Sequence, residues 1–307
     1  DPREHVEVWK ALSSITQQEE VIETLKNADA ITTSVKRENL KYLVPVILKA
    51  WGDDPCTGKA IICCENVENV GIYFKNLLME QCSEKQKENI QKIRIPNTIV
   101  DRICSMNSED MTIVSEEFHE LSVDKNVLSE TGIEYINSID NVEGHFYRKR
   151  YLLNSYADAI SFLAKKEGLT YLYEAAQNDK INEQIKPYME LLKDLLHERY
   201  HISKEELEQW QEIYRKRLQN DKIPRKLTTV ARNLWEKLTV EERFVKPLIQ
   251  LLEMKKDIAE GAKFIKKLIE CGTEDEELSQ IKEKLMEIWN VCPEGEILFN
   301  MIDKISD

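Results

Sequence analysis

Lys59-Ala60-Ile61-Ile62-Cys63-Cys64-Glu65-Asn66 is the stretch on which the fold turns. Its apolar run is continuous rather than alternating. That is the pattern of a strand buried on both faces, as in a parallel sheet covered by helices. The run ends abruptly in a carboxylate and an amide. In open α/β sheets ligands bind beyond the carboxyl ends of the strands, so Glu65 and Asn66 stand where polar chemistry belongs. Asn66 as the N-cap of a following helix is an equally comfortable reading.

Working outward, residues 17–26 read as an amphipathic helix and 30–35 as a short β-rich run. Residues 39–51 are apolar at helical spacing through Leu40, Leu43, Val46, Ile47 and Ala50, and a Gly-Asp-Asp-Pro turn follows at 52–55. A helix is expected over roughly 67–78. Strand and helix in alternation argue for a parallel α/β sheet. Between about 93 and 124 the pattern is mixed, with short strands expected at 111–114 and 120–123. From about Ser138 onward the chain is helical, with apolar residues three and four apart such as Leu191, Leu192, Leu195 and Leu196. The expected fold class is therefore α/β plus all-α, divided at 1–137 and 138–307.

Composition narrows the function. The 307 residues are 42% hydrophobic and 32% charged, which excludes wholesale disorder. Lys and Arg number 43 against 56 Asp and Glu, a net charge of −13, so no nucleic acid or anionic membrane surface is expected as partner. No run of 18 apolar residues occurs, and no basic-then-apolar leader opens the chain. It starts at Asp1-Pro2 without methionine, as a fragment, a processed form or a trimmed chain would. The seven cysteines are odd in number and contain no Cys-x-x-Cys. Reduced thiols in a cytoplasmic protein are expected, with no structural zinc. Nine glycines include no Gly-x-Gly-x-x-Gly fingerprint and no P-loop.

Three polar strings stand out. His197-Glu198-Arg199-Tyr200-His201 matches the His-Glu-x-x-His of zinc peptidases, in which histidines one helical turn apart hold the metal. However, Ser203-x-x-Glu206 is a capping box for a new helix. The first helix should then end at about Tyr200 and leave His201 in a turn, so no metal is expected. Arg148-Lys149-Arg150-Tyr151-Leu152-Leu153-Asn154 mixes cations and an amide with apolar residues. A lysine beside a buried amide in a closed pocket is a candidate base, while the plainer reading is a solvated helix face. Val100-Asp101-Arg102-Ile103 reads as an ion pair between apolar flanks.

Together these strings resemble the mannitol dehydrogenase family of long-chain polyol dehydrogenases, in particular its branch acting on sugar alcohol phosphates. Five segments carry the resemblance in the family's order. They are Ile31-Thr32-Thr33-Ser34-Val35, Ile62-Cys63-Cys64-Glu65-Asn66, Ile95-Pro96-Asn97 to Val100-Asp101-Arg102-Ile103, Lys149-Arg150-Tyr151-Leu152-Leu153-Asn154, and Arg243-Phe244-Val245-Lys246-Pro247-Leu248. The similarity runs from about Val8 to Lys256. It implies a Rossmann-type domain followed by a helical substrate domain, with substrate between them, and hydride transfer between NAD and a sugar alcohol carbon without zinc. Lys149 would be the general base, Asn154 and Asn66 would hold the reacting oxygen, and Asp101 would anchor near the lysine. Thr32, Thr33, Val35 and Asn66 would face the cofactor. Arg232, Arg243 and Lys246 would contact a substrate phosphate.

The chain departs from the family pattern at several points. Lacking the glycine fingerprint, it is expected to begin where the later Rossmann strands begin. Lys36 stands where the family has a glycine after its Thr-Thr-x-Val strand. His201 replaces the glycine that ends a helix in Arg-Tyr-Gly. Ala157 replaces a substrate-positioning histidine, for which His145 is a candidate substitute. The expected function is NAD-dependent oxidoreduction of a sugar alcohol phosphate by a cytoplasmic monomer. The alternatives are a non-catalytic relative that binds a sugar phosphate or a protein partner and, behind it, a zinc metallopeptidase.

Overall fold

The computed structural model describes residues 11–305 except 14, 54, 107–111, 274 and 275. Val8, where the resemblance begins, and Met111, first in an expected strand, lie outside the described residues. Contacts divide the chain into two compact units, Asp1–Asp101 with His119–Glu143, and Arg102–Phe118 with Gly144–Asp307.

The first unit runs α1 (Gln18–Lys26), β1 (Ala30–Thr33), α2 (Val44–Trp51), β2 (Ala60–Cys63), α3 (Val70–Gln81), α4 (Lys87–Lys92) and β3 (Thr98–Asp101). β1 and β2 pair in parallel, from Ala30 opposite Ala60 to Thr33 opposite Cys63. Every residue of β2 is buried, as its unbroken apolar run requires. Leu40, Val44, Ile47, Trp51, Phe74, Leu78 and Ile90 form the core. The Trp51 indole donates to the Leu25 carbonyl at 2.7 Å.

Two expected helices start late, each for a local reason. The segment from 39 opens as a 3₁₀ turn, Arg37–Tyr42, and becomes α-helical only at Val44. Pro45 sits in the first helical turn, where its missing N–H is harmless; further back its ring would clash. The helix after β2 begins at Val70, because Asn69 is left-handed at φ 52°. Asn66 is therefore not its N-cap.

Strands β4 (Cys104–Met106), β5 (Ile113–Ser115), β6 (Glu120–Asp124) and β7 (Asn137–Ile139) follow. β6 lies antiparallel to β3 and parallel to β7. The β4–β5 hairpin belongs to the second unit. The cause is visible in side chains. The Glu116 carboxylate receives Arg217 through two nitrogens, at 2.6 and 3.0 Å, and the Ile103 N–H at 2.6 Å. Arg217 also lies over the Phe118 ring at 3.9 Å.

In the second unit α5 (Val142–Arg148), a π-helical stretch (Lys149–Ser155) and α6 (Tyr156–Lys166) form one rod. It is followed by α7 (Leu172–Gln177), α8 (Asp179–Tyr200), α9 (Lys204–Leu218), α10 (Leu227–Val230), α11 (Leu234–Lys237), α12 (Lys246–Glu253), α13 (Ala259–Gly272), α14 (Leu278–Trp289) and α15 (Pro293–Lys304). α6 is the axis of this unit. Every residue from Tyr156 to Ala164 is buried, and α7, α8, α10 and α13 pack on it.

The break between α8 and α9 falls where the capping box predicts. His201 is left-handed at φ 57°, and the Ser203 hydroxyl accepts the Glu206 N–H at 3.2 Å. His197 Nδ1–H donates to the Ile202 carbonyl at 2.8 Å. The two histidines therefore do not share a helical face.

Lys36, at φ 70° and ψ 153°, is also in backbone territory that suits glycine. Both Lys36 and His201 thus occupy glycine geometry at positions where the family resemblance expects glycine. Lys36→Gly should stabilise the protein by about 1 kcal/mol, the relief of a strained residue less glycine's extra unfolded-state entropy. A urea midpoint unchanged or lowered by the substitution would contradict this.

Candidate functional site

In the first unit the carboxyl ends of β1 and β2 are tied by Glu65. This buried carboxylate accepts the Thr33 hydroxyl at 2.7 Å and the Val35 N–H at 2.9 Å. Thr33 is buried and committed to that bond, whereas Thr32 and Asn66 are exposed. Asp101 closes β3 and is buried. Burial pushes the Cys63 thiol up to about 12, with the Glu65 carboxylate adding to the rise and the Thr33 hydroxyl opposing it. Cys64 shifts upward for the same first reason. Both thiols are therefore poor nucleophiles.

In the second unit Lys149 and Asn154 lie in the π-helical stretch, Lys149 buried and Asn154 half-buried. In an α-helix residues five apart stand about 140° apart round the axis. The wider π turn closes its hydrogen bond between i and i+5 and brings the fifth residue back over the first. The spacing Lys-x-x-x-x-Asn is thus matched to the local helix type. The same widening shifts the phase of everything beyond it. Ala157 is buried, so a larger side chain there would have to displace its neighbours. The helix expected from Ser138 onward is thus not α-helical throughout, since Lys149–Ser155 is a π turn.

The turn is pinned at its end. The buried Ser155 hydroxyl lies 3.1 Å from the Arg150 carbonyl, five residues back, and 3.0 Å from the Arg243 carbonyl. The Tyr188 hydroxyl donates to the Phe244 carbonyl at 3.0 Å. These bonds hold the 243–244 segment against the rod.

At its start the turn is flanked by Arg148, which is fully buried. Its guanidinium lies 3.7 Å from the Trp210 ring centre and donates to the Tyr214 hydroxyl at 3.1 Å. It also donates to His145 Nδ1 at 2.5 Å, which places the ring proton of neutral His145 on Nε2.

Arg232 and Arg243 line one cleft of about 270 Å³, together with Asp158, Arg225, Lys237 and Glu242. Asp158 is its anionic centre, paired with Lys237 at 2.9 Å and Arg243 at 3.1 Å. Lys246 does not line the cleft. It pairs with Glu241 at 3.2 Å and lies over the Tyr147 ring at 5.4 Å. Sequence reasoning missed Asp158, Arg225 and Lys237. Only Asp158 left a signal, as a lone carboxylate inside the apolar run 156–160.

Family comparison agrees with this architecture. Residues 2–136 match the mannitol dehydrogenase Rossmann domain and residues 141–287 the mannitol dehydrogenase C-terminal domain. The chain belongs to the mannitol dehydrogenase family. It is 26% identical to a mannitol-1-phosphate 5-dehydrogenase of Pyrenophora tritici-repentis, over 81% of this chain and 66% of that protein. It is 28% identical to one from Caldanaerobacter subterraneus, over 80% and 66%. The chain thus spans about two thirds of the length of these relatives. The Pseudomonas fluorescens mannitol 2-dehydrogenase, solved as a ternary complex with NAD and D-mannitol, has the same fold. Its TM-score is 0.73 at 13% identity, covering 95% of this chain and 74% of that one. A substrate-free D-sorbitol dehydrogenase gives 0.70 at 14%, covering 94% and 75%.

Among the described residues, no three His, Cys, Asp or Glu side chains group as metal ligands would, and no helix is long and apolar enough to cross a membrane.

Two measurements test the strand-end geometry. Glu65→Ala strands the Thr33 hydroxyl and should cost about 2 kcal/mol, the range of charge-assisted hydrogen bonds, with Glu65→Gln retaining part of it. Equal stability of all three proteins in urea would refute the role given to Glu65. Iodoacetamide at neutral pH should label exposed Cys104 first and leave Cys63 unmodified in the folded protein; early labelling of Cys63 by mass spectrometry would contradict its burial.

Proposed function

We propose that this chain serves NAD-dependent oxidoreduction of a sugar alcohol or its phosphate. The observation that carries the reading is the π turn that sets a buried lysine and an amide on one side of a rod. Lysines held away from water are the ones suited to act as bases. During oxidation Lys149 Nζ takes the proton of the substrate hydroxyl. The Asn154 amide donates to the oxygen left behind and holds its growing charge. The family resemblance assigns Asn66 the same part and Asp101 the part of a polar anchor. Arg232 and Arg243, which share one cleft, serve the far end of the substrate, and Lys246 lies outside that cleft.

The residues present fit the nicotinamide end of the cofactor. Exposed Thr32 and Asn66 lie at the carboxyl ends of two parallel strands, where such sheets bind ligands. The backbone from Thr33 to Val35 is fixed by Glu65 rather than left to adjust. When bound, NAD supplies the hydride acceptor. The glycine-rich turn that usually cradles its pyrophosphate has no counterpart in this sequence. Ala157, standing where the family resemblance expects a histidine, favours one second reading, a non-catalytic relative that binds a sugar phosphate or a protein partner.

NAD reduction with mannitol, sorbitol and mannitol 1-phosphate separates the two. Lys149→Ala should lower turnover on the order of a hundredfold or more. Turnover untouched by Lys149→Ala would overturn the mechanism, and no turnover with any of the three would favour the second reading.

A further inference from the structure

One stretch of chain, 241–250, holds the π turn through Arg150, Tyr151 and Ser155. The Arg150 guanidinium donates to the Glu241 carbonyl at 3.0 Å and pairs with Glu242 at 3.0 Å. The Ser155 hydroxyl reaches the Arg243 carbonyl at 3.0 Å. Arg150 and Ser155 are five residues apart. In an α-helix they would face about 140° apart; the π pitch brings them to one side, toward one stretch of backbone.

The contact of Tyr151 is made deep in the core. Tyr151 is fully buried, and its hydroxyl donates to Gln250 Oε1 at 3.0 Å. Gln250 is itself buried in α12, and its Nε2 donates to the Tyr200 hydroxyl at 2.7 Å. Tyr200 is the last residue of α8. The Tyr147 ring stacks on Tyr200 at 4.6 Å and lies 5.2 Å from Tyr151. One amide thus ties together the π turn, α12 and the end of α8. Burial pushes the Tyr151 hydroxyl well above its ordinary pKa, with Tyr200 and Tyr147 adding and Arg150 opposing, so it remains a donor.

Apolar residues of the same shape would fill this space without taking polar groups out of water. A buried polar network does what they cannot. It fixes one arrangement among several, because a misaligned state leaves a donor or acceptor without a partner. The arrangement in question is the pitch of 149–155, whose residue types suit an ordinary helix.

We infer that Gln250 is a positioning residue, which through Tyr151 holds 149–155 at the π pitch and so keeps Asn154 beside Lys149. Tyr151 leaves the rod roughly half a turn round from Lys149, so the clamp grips the side away from the lysine. The consequence for turnover rests on the oxidoreductase reading; the clamp itself does not.

Amide hydrogen exchange of the whole chain, read by mass spectrometry, tests the clamp without substrate or NAD. Tyr151→Phe and Gln250→Met each remove the bond between the two side chains and strand a polar partner. A segment passing between two pitches breaks its hydrogen bonds each time. Exchange over 149–155 should therefore rise about tenfold, while 156–166 stays protected. In NAD reduction with a polyol, kcat should fall on the order of a hundredfold with KM little changed. The double variant should regain the urea stability that the single variants lose, since both partners are then apolar. Its exchange should stay fast and its kcat low, because no polar contact remains to select the pitch. A merely structural pair would recover all three together, and that result would overturn the inference. So would exchange over 149–155 that is unchanged, or raised equally over 156–166, or raised with kcat untouched. Tyr151→Phe removes a single oxygen and keeps the test decisive if the Gln250 variant does not fold. The two readings fail separately. Fast exchange over 149–155 in variants of a chain that oxidises no polyol leaves the clamp and removes the oxidoreductase. Lys149-dependent oxidation in variants whose exchange is unchanged does the reverse.

Discussion

A helix buried along its length cannot change pitch without moving everything packed on it. The rod from Val142 to Lys166 changes pitch once, at Lys149–Ser155, and is buried on all sides immediately afterwards. The phase set by that wide turn therefore decides which side of α6 each later residue presents. It places Asp158 at the cleft and Ala157 in the packed interior. Ser155 fixes the end of the turn by reaching both its own helix and the Arg243 carbonyl. A π turn costs good helical hydrogen-bond geometry and is commonly found at functional sites. Here it is the one element that joins the lysine, the amide and the cleft.

Much of this was legible in the residues. The continuous apolar run at 60–63 announced a buried parallel strand, and the Ser203–Glu206 capping box placed the end of the preceding helix at Tyr200. Both are local rules, and both operate within a few residues. The π turn was not legible, because its residue types are those of an ordinary helix and only tertiary contacts select the wider pitch. The same holds for the cleft. Its charges come from α6, the loop before α10, the turn before α11, α11 itself and the segment before α12, and no spacing rule links them. Asn66 shows a subtler failure. It has the chemistry of a cap, but left-handed Asn69 starts the helix three residues later.

Charge is handled differently in the two units. In the first, the buried carboxylate of Glu65 organises backbone and hydroxyl groups at a strand end. In the second, buried charges meet in pairs. Arg217–Glu116 and the Asp158 cluster each remove ions from water and recover that cost only through close, multiple contacts. Arg148 takes a third route, lying against an aromatic ring with a tyrosine hydroxyl on its Nε.

The path of the chain adds a constraint of another kind. Residues 102–118 leave the first unit, complete the second through Glu116 and Phe118, and the chain then returns for β6 and β7. The backbone crosses between the units three times, so neither is one uninterrupted piece of polypeptide. Nicking the chain at 143–144 cuts only one of the three crossings and leaves the halves joined through the other two. A helical portion cut out from that point onward would keep Arg217 in its buried setting with no Glu116 to meet it. Divisions drawn from sequence order and divisions drawn from cooperative folding are different partitions of this molecule, and only the second can be expected to yield a piece that stands alone.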